Sequence, residues 1–161
     1  MKKLLLILLC LPMIGFGQNG PQKGYYQNGQ LKFDVNYKDG KLNGYAKFYH
    51  KKGHIESEGN FTNGKQNGII KFYFENGKLD ELSHWENGKQ NGEEKKYYEN
   101  GQLMSLTNFK NGNRDGVANL WYENGLLASK IIYNKGIPSS AECWDENIKH
   151  IDCDEIGFFY D

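Results

Sequence analysis

Residues 63–88 read NGKQNGIIKFYFENGKLDELSHWENG, and the rest of the chain repeats their phase every 24 residues. Glycine stands at 29, 53, 77, 101 and 125, again at 40, 64, 88, 112 and 136, and a third time at 20, 44, 68, 92 and 116. These series take 15 of the 20 glycines, so the chain is read first as a repeat array. Each period holds two short, aromatic-rich runs punctuated by Asn-Gly or related pairs, and no stretch sustains a helical period. The expected fold is all-β: an elongated antiparallel sheet of five repeated β-hairpins over residues 18–137, closed by a C-terminal cap over 138–161.

Asn28-Gly29, Asn76-Gly77, Asn100-Gly101 and Asn124-Gly125 are read as two-residue type I′ turns, because Asn-Gly tolerates the positive φ that such turns require. Lys52-Gly53 takes the same place. The second connection, 63–68, is expected to be longer and to join one hairpin to the next. That register sets Phe74 opposite Leu79, Phe72 opposite Glu81 and Trp85 opposite Gly68. By repetition Tyr37, Phe61, Trp85, Phe109 and Tyr133 oppose Gly20, Gly44, Gly68, Gly92 and Gly116, each ring covering bare backbone. With Leu31, Ile55, Leu79, Leu103 and Leu127, near Tyr26, His50, Phe74, Tyr98 and Tyr122, they make the expected buried face.

The opposite face carries a second aromatic column, Tyr25, Tyr49, Tyr73, Tyr97 and Trp121, beside Lys23, Lys47, Lys71 and Lys95. Lys23 is expected to face Asp34, and Lys47 to face Glu58. This column is the candidate binding face, since Tyr and Trp are enriched at interface hot spots. The plainer alternative is that the rings pack on one another and on lysine stems.

Met1–Gly17 reads as a signal peptide: Lys2 and Lys3, an apolar run from Leu4 to Leu11, then Gly15-Phe16-Gly17 as a cleavage signal. Export to the periplasm, the cell surface or the medium follows. A lipoprotein through Cys10 is disfavoured, because Leu9 is bulky and little apolar run precedes the cysteine. The full chain balances 20 basic against 20 acidic residues, and loss of the two leader lysines leaves a slight acidic excess. That balance argues against a nucleic-acid partner. The two remaining cysteines, Cys143 and Cys153, read as a disulfide in an oxidising compartment, with two free thiols as the alternative. They sit in an acidic tail that begins after Ile137-Pro138, where a repeat array needs a polar cap. Trp144 or Phe158-Phe159 is expected to cover the last hairpin.

The same residues carry no complete catalytic or cofactor pattern. Gly64-Lys65 is followed by Gln66 and no helix, so it is no phosphate loop. His50 and His54 flank one turn but lack a third metal ligand. Glu75, Glu99 and Glu123 recur in one environment, whereas acid–base pairs need two different ones. Ser57, Ser83, Ser105 and Ser129 have no His-acid partners at matching positions. The expectation is no enzyme, no cofactor and no metal.

The runs YFENGKLDELSHWENGKQNG (73–92), YYENGQLMSLTNFKNGNRDG (97–116) and WYENGLLASKIIYNKG (121–136) resemble the MORN-repeat variant found in the YwqK-family antitoxin group. Weaker copies start at Tyr25 and Tyr49, where His50 and Lys52 depart from the pattern. The resemblance implies a β-hairpin array used for protein or membrane association, with no catalytic set to carry over. The expected function is an exported protein-interaction scaffold acting through one sheet face. Antitoxin or immunity-type neutralisation of a toxin is one alternative, and a glycan- or membrane-surface module another.

Overall fold

The computed structural model describes residues Asn19–Cys153; the leader, Cys10 and the Phe158-Phe159 pair lie outside them. The described residues form one antiparallel sheet and no helix. In chain order the strands are β1 (Gly20–Tyr25), β2 (Leu31–Lys38), β3 (Lys41–Leu42), β4 (Gly44–Tyr49), β5 (Ile55–Thr62), β6 (Lys65–Tyr73) and β7 (Leu79–Glu86). β8 (Lys89–Tyr97), β9 (Leu103–Lys110), β10 (Asn113–Trp121), β11 (Leu127–Asn134), β12 (Ile137–Trp144) and β13 (His150–Ile151) complete it. Each strand pairs with its chain neighbours, β3 and β4 together occupying one strand's place. This is a quasi-one-dimensional array, as the 24-residue period requires.

The two kinds of turn are exchanged relative to the expectation. Asp39-Gly40, Asn63-Gly64, Asn87-Gly88, Asn111-Gly112 and Lys135-Gly136 have positive φ at both residues, the type I′ signature, and directly join β5 to β6, β7 to β8 and their equivalents. At Asn76-Gly77 and its repeats only the glycine has positive φ. There Gly77 N donates to Phe74 O at 2.9 Å and Phe74 N to Lys78 O at 2.9 Å, which is a three-residue loop with a type I turn and a glycine bulge. Asn76 Oδ1 accepts from Lys78 N at 2.9 Å, and Asn28, Asn100 and Asn124 repeat this contact.

The longer loop slips the adjoining register by one residue. Tyr73, not Phe74, opposes Leu79, and the ladder recovers at Phe72 and Glu81 because Asp80 is bulged out of it. A one-residue slip moves a side chain to the other face. Leu31, Ile55, Leu79, Leu103 and Leu127 therefore lie opposite Tyr25, Tyr49, Tyr73, Tyr97 and Trp121, on the face opposite to the one assigned from sequence. Beyond the bulge the expectation holds. Gly20–Tyr37, Gly44–Phe61, Gly68–Trp85, Gly92–Phe109 and Gly116–Tyr133 are all direct partners.

Those five glycines are needed for conformation rather than for a covering ring. Each has a positive φ, and a Cβ on Gly44, Gly92 or Gly116 points toward Asn36, His84 or Asn108, not toward the opposing ring. A ring does lie across a glycine elsewhere: Phe33 occupies the space of any Cβ at Gly24, and Ile70 does so at Gly59.

We call the buried side of the sheet the inner face. It carries Phe33, Val35, Tyr37, Ala46 and Phe48, then Ser57, Ile70, Phe72 and Ser83, then Thr107, Ala118, Ser129, Ile131 and Cys143. No second layer covers it among the described residues, so these side chains are buried by one another across neighbouring strands. Small residues at the centre, Ser57, Ser83 and Ser129, each at most 2% exposed, allow that approach.

Hairpins are also stapled side to side. Tyr26, Tyr98 and Tyr122 donate their hydroxyls to the backbone oxygens of Tyr49, Trp121 and Trp144 at 2.6, 2.7 and 2.8 Å. His50 Nε2 lies 3.1 Å from Tyr73 O, so it makes the same link that tyrosine makes elsewhere.

Past Gly136 the sequence pattern fades but the geometry continues. β12 pairs with β11, and a sixth, short hairpin turns through Asp145–Ile148. Asp145 N donates to Lys149 O and Ile148 N to Asp145 O, as in the earlier three-residue loops. Ile148 stands where those loops have glycine, with φ 64°. Only two residue pairs join β12 to β13, and the Cys143–Cys153 disulfide closes the hairpin.

Candidate functional site

The outer face is built from three rows that run across the strands. The first is the ring-and-leucine row: Tyr25 with Leu31, Tyr49 with Ile55, Tyr73 with Leu79, Tyr97 with Leu103, and Trp121 with Leu127. The sequence identified the rings as one column, and the structure adds the aliphatic partners. No other element of the described residues lies over them. Tyr25 is the most open, at 62% exposed, and the other rings are half-buried.

The second row is charged at its N-terminal end. Lys23 Nζ lies 2.9 Å from Asp34, and Lys47 Nζ 3.9 Å from Glu58, both as the register predicts. Glu58 also accepts the Tyr73 hydroxyl at 2.7 Å and is hydrogen-bonded by Tyr45. Burial disfavours ionisation of Glu58, but the Tyr73 and Tyr45 hydroxyls with Lys47 and Lys71 outweigh it and hold the carboxyl below its usual range. Burial, then the Glu58 hydrogen bond and charge, push Tyr45 up to about 12 and Tyr73 higher still. Tyr73 is thus tied into the sheet, whereas Tyr25 is exposed.

From β7 onward the second row changes to Leu82, Lys95, Leu106 and Asn119. The third row, with Tyr45, Ile69 and Ile132 all 40–46% exposed, extends the apolar area. The second row thus passes from paired charge at its N-terminal end to alternating leucine and lysine, and returns to charge at Lys130 and Glu142.

Sequence reasoning missed a polar group on the inner face. Glu81 and Glu94 lie 3.9 and 3.6 Å from Lys96 Nζ. Ser83 donates to Glu81 at 3.2 Å, Trp85 Nε1 to Ser83 at 2.9 Å, and Gln90 to Glu94 at 2.5 Å. Burial first, then the charge of Glu94, raise the Glu81 carboxyl above its usual range. The signal lay in the columns of the repeat: Glu81 stands 24 residues from Ser57 and Ser105, and Lys96 24 residues after Phe72. Both substitutions put charge where the array elsewhere has small or apolar residues.

Among the described residues, no group of three or more His, Cys, Asp or Glu side chains is placed to hold a metal ion. Ser57 and Ser129 hydroxyls are buried without a hydrogen-bond partner. The arrangement offers contact area and charge.

No curated protein matches the chain. A family model for the MORN repeat variant matches residues 18–39, 42–63, 66–88 and 90–111, four successive units in phase with the hairpins. Such repeats are commonly protein or membrane interaction modules and are generally non-enzymatic. The matched residues span more than half of the sequence, and the chain belongs to the MORN repeat variant family.

Proposed function

We propose that this protein is a non-catalytic scaffold that holds a protein partner on the outer face of its sheet, through Tyr25, Tyr49, Tyr73, Tyr97 and Trp121. The observation that carries this reading is the continuous ring-and-leucine row on a face that nothing in the described residues covers. Rings set opposite aliphatic side chains give large contact area at low entropic cost. The scaffold works outside the cytoplasm after loss of Met1–Gly17; the disulfide between Cys143 and Cys153 is consistent with such a compartment.

Capture of partners from the producing cells tests the reading. Tyr97→Ser with Trp121→Ser is the informative pair, because the Tyr73 hydroxyl is engaged by Glu58 and its loss would also disturb the sheet. Loss of a captured partner with an unchanged melting temperature supports the proposal. Retention of every partner by the double variant overturns it.

A further inference from the structure

Some lysines of this array are ion-paired and others are not; of the exposed ones without an ion pair among the described residues, Lys51, Lys78, Lys130 and Lys149 lie away from the type I′ turns. Lys23, Lys47, Lys52, Lys95 and Lys96 each lie within 4 Å of a carboxylate. Lys38, Lys41, Lys65, Lys89, Lys110 and Lys135 are exposed and have no ion pair among the described residues. All six sit at the type I′ turns, and antiparallel alternation puts every one of those turns on the same long edge of the sheet.

Three of them are held in line. The stem of Lys41 lies 3.8 Å from the Cβ position of Gly64, that of Lys65 3.4 Å from Gly88, and that of Lys89 4.0 Å from Gly112. Each lysine therefore rests on the next unit's turn. Gly64 N, Gly88 N and Gly112 N also donate to Leu42 O, Gln66 O and Gln90 O, which fixes turn to turn. Equivalent lysines then repeat every two strands, roughly 9.6 Å apart. With Arg114 the edge carries seven cations against Asp39, Glu86 and Asp115, although the whole sequence is balanced.

We infer that this edge docks an acidic, extended polypeptide segment. A polyproline II chain rises about 3.1 Å per residue with about three residues per turn, so a carboxylate at every third residue recurs on one side at roughly 9.3 Å and matches the lysine spacing. Its backbone N–H groups can still donate to Asp39, Glu86 and Asp115. A phosphate track carries denser charge, and those carboxylates would interrupt it. The turn residues themselves are not aromatic, and the Tyr133 ring beside Arg114 is already engaged by that guanidinium, 5.4 Å from its centroid. The edge is separate from the ring-and-leucine face, so either reading can fail alone.

Labelled poly-L-glutamate titrated with the full chain at low ionic strength tests the inference. Binding is expected, weakening as salt rises. Lys41→Gln with Lys65→Gln and Lys89→Gln should weaken it roughly tenfold, as three exposed charges at a few-fold each would. Lys51→Gln with Lys52→Gln and Lys78→Gln removes equal charge from the opposite edge and should weaken it less than about twofold. Equal loss in both triple variants would reduce the effect to net charge and overturn the inference. Absence of poly-L-glutamate binding overturns it too, whether or not heparin or phosphatidylserine vesicles bind instead.

Discussion

The first two hairpins and the central ones share a backbone but distribute polarity in opposite ways. In the first pair, Phe33, Val35, Tyr37, Leu42, Ala46 and Phe48 form an apolar cluster on the inner face, with Phe61 packed against it, and Lys23–Asp34 and Lys47–Glu58 lie outside. From β7 to β9 the inner face holds Glu81, Glu94 and Lys96, while Leu82 and Leu106 stand outside. A continuous oil-filled core is therefore not what keeps the array in register. The turns, the positive-φ glycines and the ladder do that, and they are the features that repeat most strictly. The side chains on the faces are freer to vary, and the outer leucines are the product of that freedom.

The largest expected effect breaks the apolar end. Phe48→Ala should cost about 3–4 kcal/mol in urea unfolding, through lost transfer energy and the cavity left beside Phe33 and Ser57. Leu106→Ala, on the half-exposed outer face, should cost about 1 kcal/mol or less. Equal losses would mean that the outer face, not the inner, holds the central hairpins.

Next in size is the sixth hairpin, which has neither kind of core. Cys143→Ala with Cys153→Ala should lose about 2–3 kcal/mol by loop-closure entropy. Hydrogen exchange should confine the opening to β12 and β13, with β2 and β4 unchanged. Ile148→Gly should gain about 1 kcal/mol, because a β-branched residue is strained at φ 64°. A loss on that change would show that the Ile148 side chain makes a contact worth more than its backbone strain.

The smallest effects separate the two regions by pH. Glu58 is held below its usual range, so its contribution is present above the unfolded carboxyl range and lost as pH falls through its folded pKa. Glu81 is raised, so its contribution is present below the unfolded range and lost as pH rises through its folded pKa. Glu58→Gln should then flatten the loss of stability in acid, and Glu81→Gln the loss toward neutral pH. Chemical-denaturation midpoints at several pH values would show it, with Trp85 fluorescence reporting locally on the Glu81 cluster through Ser83. Parallel shifts in both variants would remove the distinction between the regions.

Much of this was legible in the residues. The period, the strand run from Gly20 to Gly136, the five Gly–aromatic pairs and the Lys23–Asp34 and Lys47–Glu58 contacts follow from spacing and alternation. The Cys143–Cys153 pairing was one of two readings left open. The inner Glu81–Lys96–Glu94 group was visible as odd members of their columns, but a charge in one column does not reveal which face that column occupies.

What the sequence determined by itself is where the chain turns: 24-residue spacing and glycine at fixed offsets leave few other places for a reversal. Only the tertiary structure decided how it turns at each place. Asn-Gly fits both a left-handed pair, as at Asn63-Gly64, and a type I turn ending in a left-handed glycine, as at Asn76-Gly77. The two differ by one residue of loop, and the bulge at Asp80 absorbs it. Local propensity does not separate these solutions, and Phe72–Glu81 and Ile70–Ser83 pair alike in either; what the tertiary structure decided is the face of Leu79, which the longer loop sets opposite Tyr73 on the outer side.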